Sequence, residues 1–132
     1  MEGNARKFDP AELRVLVVDD NAQMRGILQS MLRAFGVRAV TLAVDGSDAL
    51  ACLERRQFDI AICDWLMEPM DGYEFVRKAR ASDDPAIRDM PIVMLTGQAE
   101  MRQVLAARDA GVTEYLLKPI SAGVLWTRLA AA

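Results

Sequence analysis

Five side chains in this sequence have the types and positions that a chemical site needs. Asp19 and Asp20 directly follow one apolar run, and Asp64 follows another. Thr96 and Lys118 come at the ends of two further apolar runs. Clustered carboxylates suit a hard divalent cation, and Mg²⁺ is the natural one because it also binds phosphate oxygens. A lysine supplies positive charge for an incoming phosphoryl group, and a threonine hydroxyl can donate to its oxygens. The set predicts magnesium-dependent phosphoryl chemistry.

The composition excludes several other classes of function. The chain has 132 residues, 52% hydrophobic and 27% charged, which suits one compact domain. Its net charge of -3 argues against nucleic-acid binding. It has no apolar stretch of membrane-spanning length and no signal-peptide pattern, so we expect a cytoplasmic protein without a membrane partner. The absence of histidine excludes Ser–His and Cys–His catalytic pairs and most zinc sites. Cys52 and Cys63 are expected to be buried free thiols.

Apolar runs typical of buried strands alternate with segments of helical periodicity. Strands are predicted at residues 14–18, 37–43, 60–63, 91–95 and 114–117, and helices around 24–35, 48–53, 72–81, 99–110 and 121–129. Asp45 and Gly46 are expected to form a turn, Ser47 to cap the second helix, and residues 81–90 to form a surface loop. This alternation predicts an α/β fold with a parallel sheet and right-handed crossovers.

The candidate residues all follow predicted strands, and this places them at one edge of the sheet. Ligands of parallel α/β sheets bind beyond the carboxyl ends of the strands, near the point where strand order reverses. Asp64 is the candidate nucleophile, because an ionised carboxylate needs no general base. Asp19 and Asp20 are adjacent and cannot both point straight into the site, so one is expected to bind the metal directly and the other through water. Gly97, directly after Thr96, leaves room for close approach of a phosphoryl group.

Four motifs carry a resemblance to a known family. VLVVDDN, DWLMEPMDG, PIVMLTG and YLLKP resemble the receiver domain of two-component response regulators, over about residues 13–129. The resemblance implies a flavodoxin-like (βα)5 fold with a doubly wound parallel sheet in strand order 2-1-3-4-5. We expect a receiver domain at residues 13–132 and an N-terminal extension at residues 1–12.

The same resemblance implies a role for each site residue. Asp64 would be the phospho-acceptor, and Asp20 and Asp64 would bind Mg²⁺ directly, together with the backbone carbonyl of Leu66. Asp19 would act through water. The phosphoryl group would be bound by residues that follow the fourth and fifth strands, namely Thr96, Gly97 and Lys118. Self-dephosphorylation would be slow, and no external substrate would be turned over.

A conformational switch is also implied. Thr96 would move toward the phosphoryl oxygens, and Tyr115 would turn inward into the vacated space. This would remodel the face formed by helix 99–110, strand 114–117 and helix 121–129 for a downstream protein. The phosphate donor would be a histidine kinase or histidine phosphotransfer protein. The receiver would be a monomer or a phosphorylation-dependent dimer.

The sequence departs from the family pattern near the acceptor. The usual proline position is occupied by Glu68, with the proline at Pro69, so the bend of this loop is expected to shift. Leu66 is apolar where a polar side chain is frequent, which would impede attacking water and lengthen the phosphorylated state. Gly97 stands where alanine is commoner, which should not block access.

The sequence lacks features that two other functional classes need. An aspartate-nucleophile phosphatase needs a second aspartate two residues after the first, but Leu66 and Asn21 occupy those positions. A flavodoxin needs a loop rich in glycine and hydroxyl groups after its first strand, whereas DDNAQMRG is acidic there. A receiver-shaped binding scaffold that signals without phosphorylation stays open. Also open is whether the chain is a single-domain regulator or part of a longer protein.

Overall fold

A parallel sheet of five strands lies at the centre of the computed structural model, which describes residues 9–65, 67, 71–97, 111–118 and 120–131. The strands are β1 (Arg14–Val18), β2 (Ala39–Ala43), β3 (Ile60–Asp64), β4 (Ile92–Thr96) and β5 (Glu114–Leu117). The described helices are a 3-10 turn (Pro10–Glu12), α1 (Ala22–Ala34), α2 (Gly46–Arg55), α3 (Gly72–Arg80), α4 (Pro85–Arg88) and α5 (Ala122–Ala131). Helix 99–110, predicted from the sequence, lies outside the described residues.

The strand order is β2-β1-β3-β4-β5, which confirms the expected topology. The chain winds outward in one direction through β2 and in the other through β4 and β5, so strand order reverses between β1 and β3. These two strands are paired in register, with Val18 opposite Cys63. The residues that follow, Asp19 and Asp64, therefore emerge side by side at the position where doubly wound sheets bind ligands.

Each face of the sheet is covered by its own apolar cluster, because alternate strand residues point to opposite faces. Leu16 and Val18 pack with α2 and α3, whereas Val15 and Val17 pack with α1 and α5. Burial on both faces explains why β1, β3 and β4 read as nearly continuous apolar runs. Among the described residues, no helix combines the length and apolar character needed to cross a bilayer.

The end of α1 explains why β2 is shorter than predicted. Gly36 adopts a left-handed φ of 99°, and the Val37 N–H donates back to the Leu32 carbonyl at 3.0 Å. This hydrogen bond is part of the helix C-terminal cap, so Val37 completes α1 rather than beginning a strand. The prediction of a strand from residue 37 was wrong at this end, and β2 begins at Ala39.

The start of α2 also differs from the prediction. Asp45 is the N-cap, and its carboxylate accepts a hydrogen bond from the Asp48 N–H at 2.8 Å. The Asp48 carboxylate in turn accepts from the Val44 N–H at 3.0 Å, so the two aspartates cap the same helix end. Ser47 therefore lies inside the helix, and the expected turn at Asp45 and Gly46 was wrong.

The predicted loop at residues 81–90 contains the short helix α4, with Asp84 as N-cap and Pro85 in the first helical position. Arg80, at the end of α3, fixes this connection to its surroundings. Its guanidinium donates to the backbone carbonyls of Arg88 at 2.8 Å, Met90 at 2.7 Å and Gly111 at 2.9 Å.

Both cysteines are free thiols. Cys63 is fully buried on β3 as expected, and burial raises the pKa of its thiol well above the ordinary value. Cys52 is only partly buried, so the expectation of burial was wrong in degree for this residue.

Candidate functional site

The turn from β1 into α1 fixes the first two carboxylates. The Asp19 N–H extends the ladder of β1 by donating to the Ala43 carbonyl at 3.1 Å. One carboxylate oxygen of Asp19 accepts from the Asn21 N–H at 2.9 Å, and the Asn21 side chain caps α1 by accepting from the Met24 N–H at 3.0 Å. Asp19 is 1% exposed and faces inward, whereas Asp20 is exposed at the rim.

The three aspartates converge as predicted. Asp19, Asp20 and Asp64 each offer a carboxylate oxygen, and these oxygens all lie within 4.8 Å of one another. The second oxygen of Asp19, Oδ2, is buried without a hydrogen-bond partner among the described residues. A buried anionic oxygen without a partner is costly, and a bound cation or its water shell would satisfy it. The donor set therefore fits Mg²⁺, which prefers carboxylate oxygens and keeps several waters.

Burial dominates the electrostatics of the two inner carboxyl groups. It is the largest cause that raises the pKa of Asp19, and repulsion from Asp64 and Asp20 adds to it, although the Asn21 N–H opposes it. Burial also raises the pKa of Asp64, opposed by the hydrogen bond and positive charge of Lys118. A cation bound beside these carboxylates would oppose both shifts, because it would favour their charged forms.

Lys118 and Thr96 reach the site from the ends of β5 and β4. The Lys118 Nζ lies 2.6 Å from Oδ1 of Asp64, an ion pair with the Asp64 side chain 7% exposed. The Lys118 N–H donates to the Thr96 carbonyl at 2.8 Å, which joins the two strand ends. Thr96 is 1% exposed, and its hydroxyl donates to the Gly97 carbonyl at 3.2 Å. The ammonium is thus in place beside Asp64, and the hydroxyl lies at the same edge of the sheet.

Of the remaining predicted residues, the structure describes Tyr115 but not Leu66. Leu66, the expected carbonyl ligand, lies outside the described residues, as do Glu68 and Pro69. Tyr115 is half-buried on β5 opposite Met94 and packs against the cluster on the α2 and α3 side of the sheet. Tyr115 therefore lies on the strand adjacent to β4, which carries Thr96.

Trp65 borders the acceptor position. Its N–H donates to the Leu95 carbonyl at 2.9 Å, and its ring is 8% exposed. The ring centroid lies 6.2 Å from that of Tyr73 on α3. Because Trp65 directly follows Asp64 in the chain, its fluorescence is a natural reporter of metal binding.

Arg25 is a site residue that the sequence analysis missed. Its guanidinium donates to the backbone carbonyl of Asp19 at 2.6 Å and so braces the turn that presents both carboxylates. A basic side chain near the amino end of a helix works against the helix dipole, and α1 has no acidic residue in its first turn. This unfavourable placement is visible in the sequence and could have indicated that Arg25 has a specific partner.

The chain is similar to response regulators both in sequence and in structure. A family model described as the response regulator receiver domain matches residues 15–130. The chemotaxis protein CheY of Pseudomonas aeruginosa is 37% identical over 113 residues, covering 86% of this chain and 90% of that protein. A response regulator from Chloroflexus aurantiacus superposes with a TM-score of 0.81 at 32% identity, covering 91% of this chain and 98% of that one.

A second solved structure bears on the metal site. The receiver domain of the sensor histidine kinase PA1611 from Pseudomonas aeruginosa superposes with a TM-score of 0.80 at 33% identity. The match covers 89% of this chain and 93% of that one. That receiver domain has a magnesium ion coordinated in its active-site cleft.

Proposed function

Because this chain belongs to the response regulator receiver domain family, we propose that it accepts a phosphoryl group on the carboxylate of Asp64. The observation that carries this proposal is the 2.6 Å contact between the Lys118 ammonium and an Asp64 carboxylate that has two further aspartates within reach. Receiver domains act as signalling switches rather than as enzymes, and the phosphoryl group is the signal.

The transfer needs little from the protein besides positioning and charge. A carboxylate oxygen of Asp64 attacks phosphorus, and the phosphorus–nitrogen bond to a histidine of the donor breaks, with the electron pair leaving on that nitrogen. Lys118 favours the ionised, nucleophilic form of Asp64 and then pairs with a phosphoryl oxygen. Thr96 would donate its hydroxyl to another oxygen, and Gly97 would leave the space for it. A histidine kinase or phosphotransfer protein is the proposed donor.

The proposed metal ligands are Asp19, Asp20, Asp64 and the backbone carbonyl of Leu66, with Asp20 and Asp64 binding directly and Asp19 through water. Mg²⁺ bound there would neutralise charge on the carboxylates and on the transferring phosphoryl group. The buried, unpartnered Oδ2 of Asp19 supports this assignment, because its position calls for a donor or a cation. The magnesium-bound relative lends further support.

The proposed output is a population shift between two packings of one face. Thr96 and Tyr115 are the proposed switch residues, and the face includes residues 99–110, β5 and α5. Tyr115 is half-buried on the strand next to β4, so a change at the end of β4 could reach it through neighbouring side chains. The proposed ligand of this face is a downstream protein, with the receiver as a monomer or a phosphorylation-dependent dimer.

The proposal also covers the boundaries of the domain, the rate at which it loses its phosphoryl group and its place in the cell. Residues 13–132 would form the receiver domain and residues 1–12 an N-terminal extension. Self-dephosphorylation would be slow, with Leu66 impeding water. The protein would act in the cytoplasm, where its kinase presents phosphohistidine.

Intact mass spectrometry tests the proposal. The protein is incubated with phosphoramidate, a small phosphorus–nitrogen donor, with and without Mg²⁺, and Asp64→Asn is treated in parallel. We expect one added phosphoryl group on the wild type with Mg²⁺ and none in the other samples. If the wild type binds Mg²⁺, as seen in its tryptophan fluorescence, but gains no mass, the proposed function is contradicted.

A further inference from the structure

The peptide unit that follows Asp64 is in direct contact with the first residue of α3, Gly72. The Gly72 N–H donates to the Trp65 carbonyl at 2.9 Å. A methyl group on Gly72 would lie 2.6 Å from the Asp64 carbonyl oxygen and 3.1 Å from the Trp65 Cα. Side-chain carbons do not approach a backbone oxygen this closely, so only glycine fits here without a shift of one partner.

Space, not backbone conformation, requires this glycine. Among the described residues, the glycines with positive φ are Gly36 and Gly111, and Gly72 has the ordinary conformation of a helix start. Alanine could therefore adopt the backbone angles of Gly72 without strain. The cost of a substitution would come from the contact with Asp64 and Trp65.

Neither partner of this contact is free to move. On the strand side, the Trp65 N–H is bonded to Leu95 at 2.9 Å, and the Cys63 thiol lies 3.3 Å from the Asp64 carbonyl. The added methyl would also lie 3.0 Å from the sulfur of Met94, which is fully buried.

On the helix side, the buried face of α3 holds the helix against the sheet. Phe75, Val76 and Ala79 are each 0% exposed. The helix start is fixed by the Asp71 carboxylate, which accepts from the Glu74 N–H at 2.8 Å. A close-packed core of this kind transmits a displacement rather than absorbing it.

We propose that Gly72 is a positioning residue for the Asp64 carboxylate, and this inference rests on the proposed function. Its missing side chain lets the start of α3 lie directly against the peptide unit of the acceptor, and its N–H donates to the Trp65 carbonyl of that unit. A shift of that unit would move a carboxylate that contacts Lys118 at 2.6 Å and lies within 4.8 Å of the other two aspartates. Phosphoryl transfer depends mostly on such positioning.

The test compares Gly72→Ala with two control variants. Gly26→Ala also adds a methyl to a helix glycine, but nothing lies within 4 Å of it. Asp71→Ala removes the cap of α3 without adding an atom next to Asp64. Mg²⁺ affinity is measured by tryptophan fluorescence and calorimetry, and phosphorylation by mass spectrometry with phosphoramidate.

We expect Gly72→Ala to weaken Mg²⁺ binding and slow phosphorylation by about tenfold or more, with Gly26→Ala within about twofold of the wild type and Asp71→Ala losing clearly less than Gly72→Ala. If Gly72→Ala fails to fold, it is repeated in a background carrying Gly26→Ala and Gly123→Ala. Both of those positions are exposed helix glycines with open space around them. Alanine stabilises such positions.

Two results would overturn the inference: a folded Gly72→Ala with wild-type Mg²⁺ affinity and rate, or an equal loss in Asp71→Ala, which would assign the effect to helix stability. A wild type that binds Mg²⁺ but takes no phosphoryl group contradicts the proposed function alone. The Mg²⁺ titrations of the variants then still decide the role of Gly72.

Discussion

The carboxylate of Asp19 is only 1% exposed, and its Oδ2 lacks a hydrogen-bond partner among the described residues. Burial and repulsion from Asp64 and Asp20 raise its pKa. Burying a charge without a compensating partner costs free energy, so the folded state is less stable with an ionised group at this position than with a neutral one. The acidic site therefore lowers the stability of the metal-free fold, and bound Mg²⁺ would restore it.

Asp19→Asn tests this cost directly. Without Mg²⁺, we expect the variant to be more stable than the wild type by about 1 kcal/mol, because the buried charge is removed while an acceptor for the Asn21 N–H remains. Urea denaturation in a chelator measures the change. Asp20→Asn is the matched control and should change stability less, since Asp20 is exposed. A metal-free Asp19→Asn less stable than the wild type would contradict the interpretation.

Asp59 makes the stability of the fold depend on pH, because its pKa is lowered in the folded state, whereas that of Asp19 is raised. Its carboxylate accepts from the Arg14 N–H at 2.7 Å and from the Arg14 guanidinium at 3.1 and 3.0 Å. The hydrogen bonds from Arg14 hold the pKa of Asp59 below its ordinary value. The pair therefore stabilises the fold fully above the unfolded-state pKa, near 4, and this contribution is lost as the pH falls through the folded-state pKa.

We expect Asp59→Asn to be less stable than the wild type at neutral pH and the difference to shrink in acid. Urea denaturation at about pH 7 and about pH 3 measures both differences. Taking the difference between variant and wild type removes the acid effects that all other carboxylates share. A stability difference that stays constant or grows in acid would show that the Asp59 charge is not responsible.

At the level of elements, apolar periodicity located every strand, but the ends depended on local hydrogen bonds. Asp45 and Ser47 are both good N-cap residues, and the choice between them depends on where β2 ends. The helix α4 could have been read from the sequence, since Asp84 followed by Pro85 is a helix-start pattern. Val37 could not, because its bond to Leu32 exists only once α1 has formed.

Gly26 offers a prediction about α1 itself. It is exposed in the helix interior, and a methyl there would meet nothing within 4 Å. Gly26→Ala should therefore raise the free energy of unfolding by about 0.5–1 kcal/mol, through reduced chain entropy in the unfolded state. Urea denaturation measures this gain.

Gly111→Ala is the opposing control for that experiment. Gly111 has a φ of 108°, and an added methyl would lie 2.9 Å from the Arg80 side chain. The same substitution should therefore destabilise the protein at this position. A loss of stability in Gly26→Ala would mean that α1 is not formed as described.

At the scale of the whole molecule, the parallel α/β arrangement followed from the sequence pattern, whereas the strand order came from the family resemblance. The convergence of Asp19, Asp64 and Lys118 was predictable because residues at the carboxyl ends of parallel strands share one edge, although β3 extends one residue further than predicted and includes Asp64. The bond from Arg25 to the Asp19 carbonyl and the close approach of Gly72 to Asp64 were not predicted, since both depend on distances set by packing. The role of Leu66 and the predicted helix 99–110 stay predictions.

The measurement that tests the central claim most directly is chemical mapping of the phosphorylated residue. The protein is phosphorylated with phosphoramidate and Mg²⁺, and the acyl phosphate is reduced with borohydride, which converts a phosphorylated aspartate to homoserine. Peptide sequencing by mass spectrometry then locates the change. We predict homoserine at position 64 in the wild type and none in Asp64→Asn. Homoserine at position 19 or 20, or a phosphoryl group that survives in Asp64→Asn, would contradict the account.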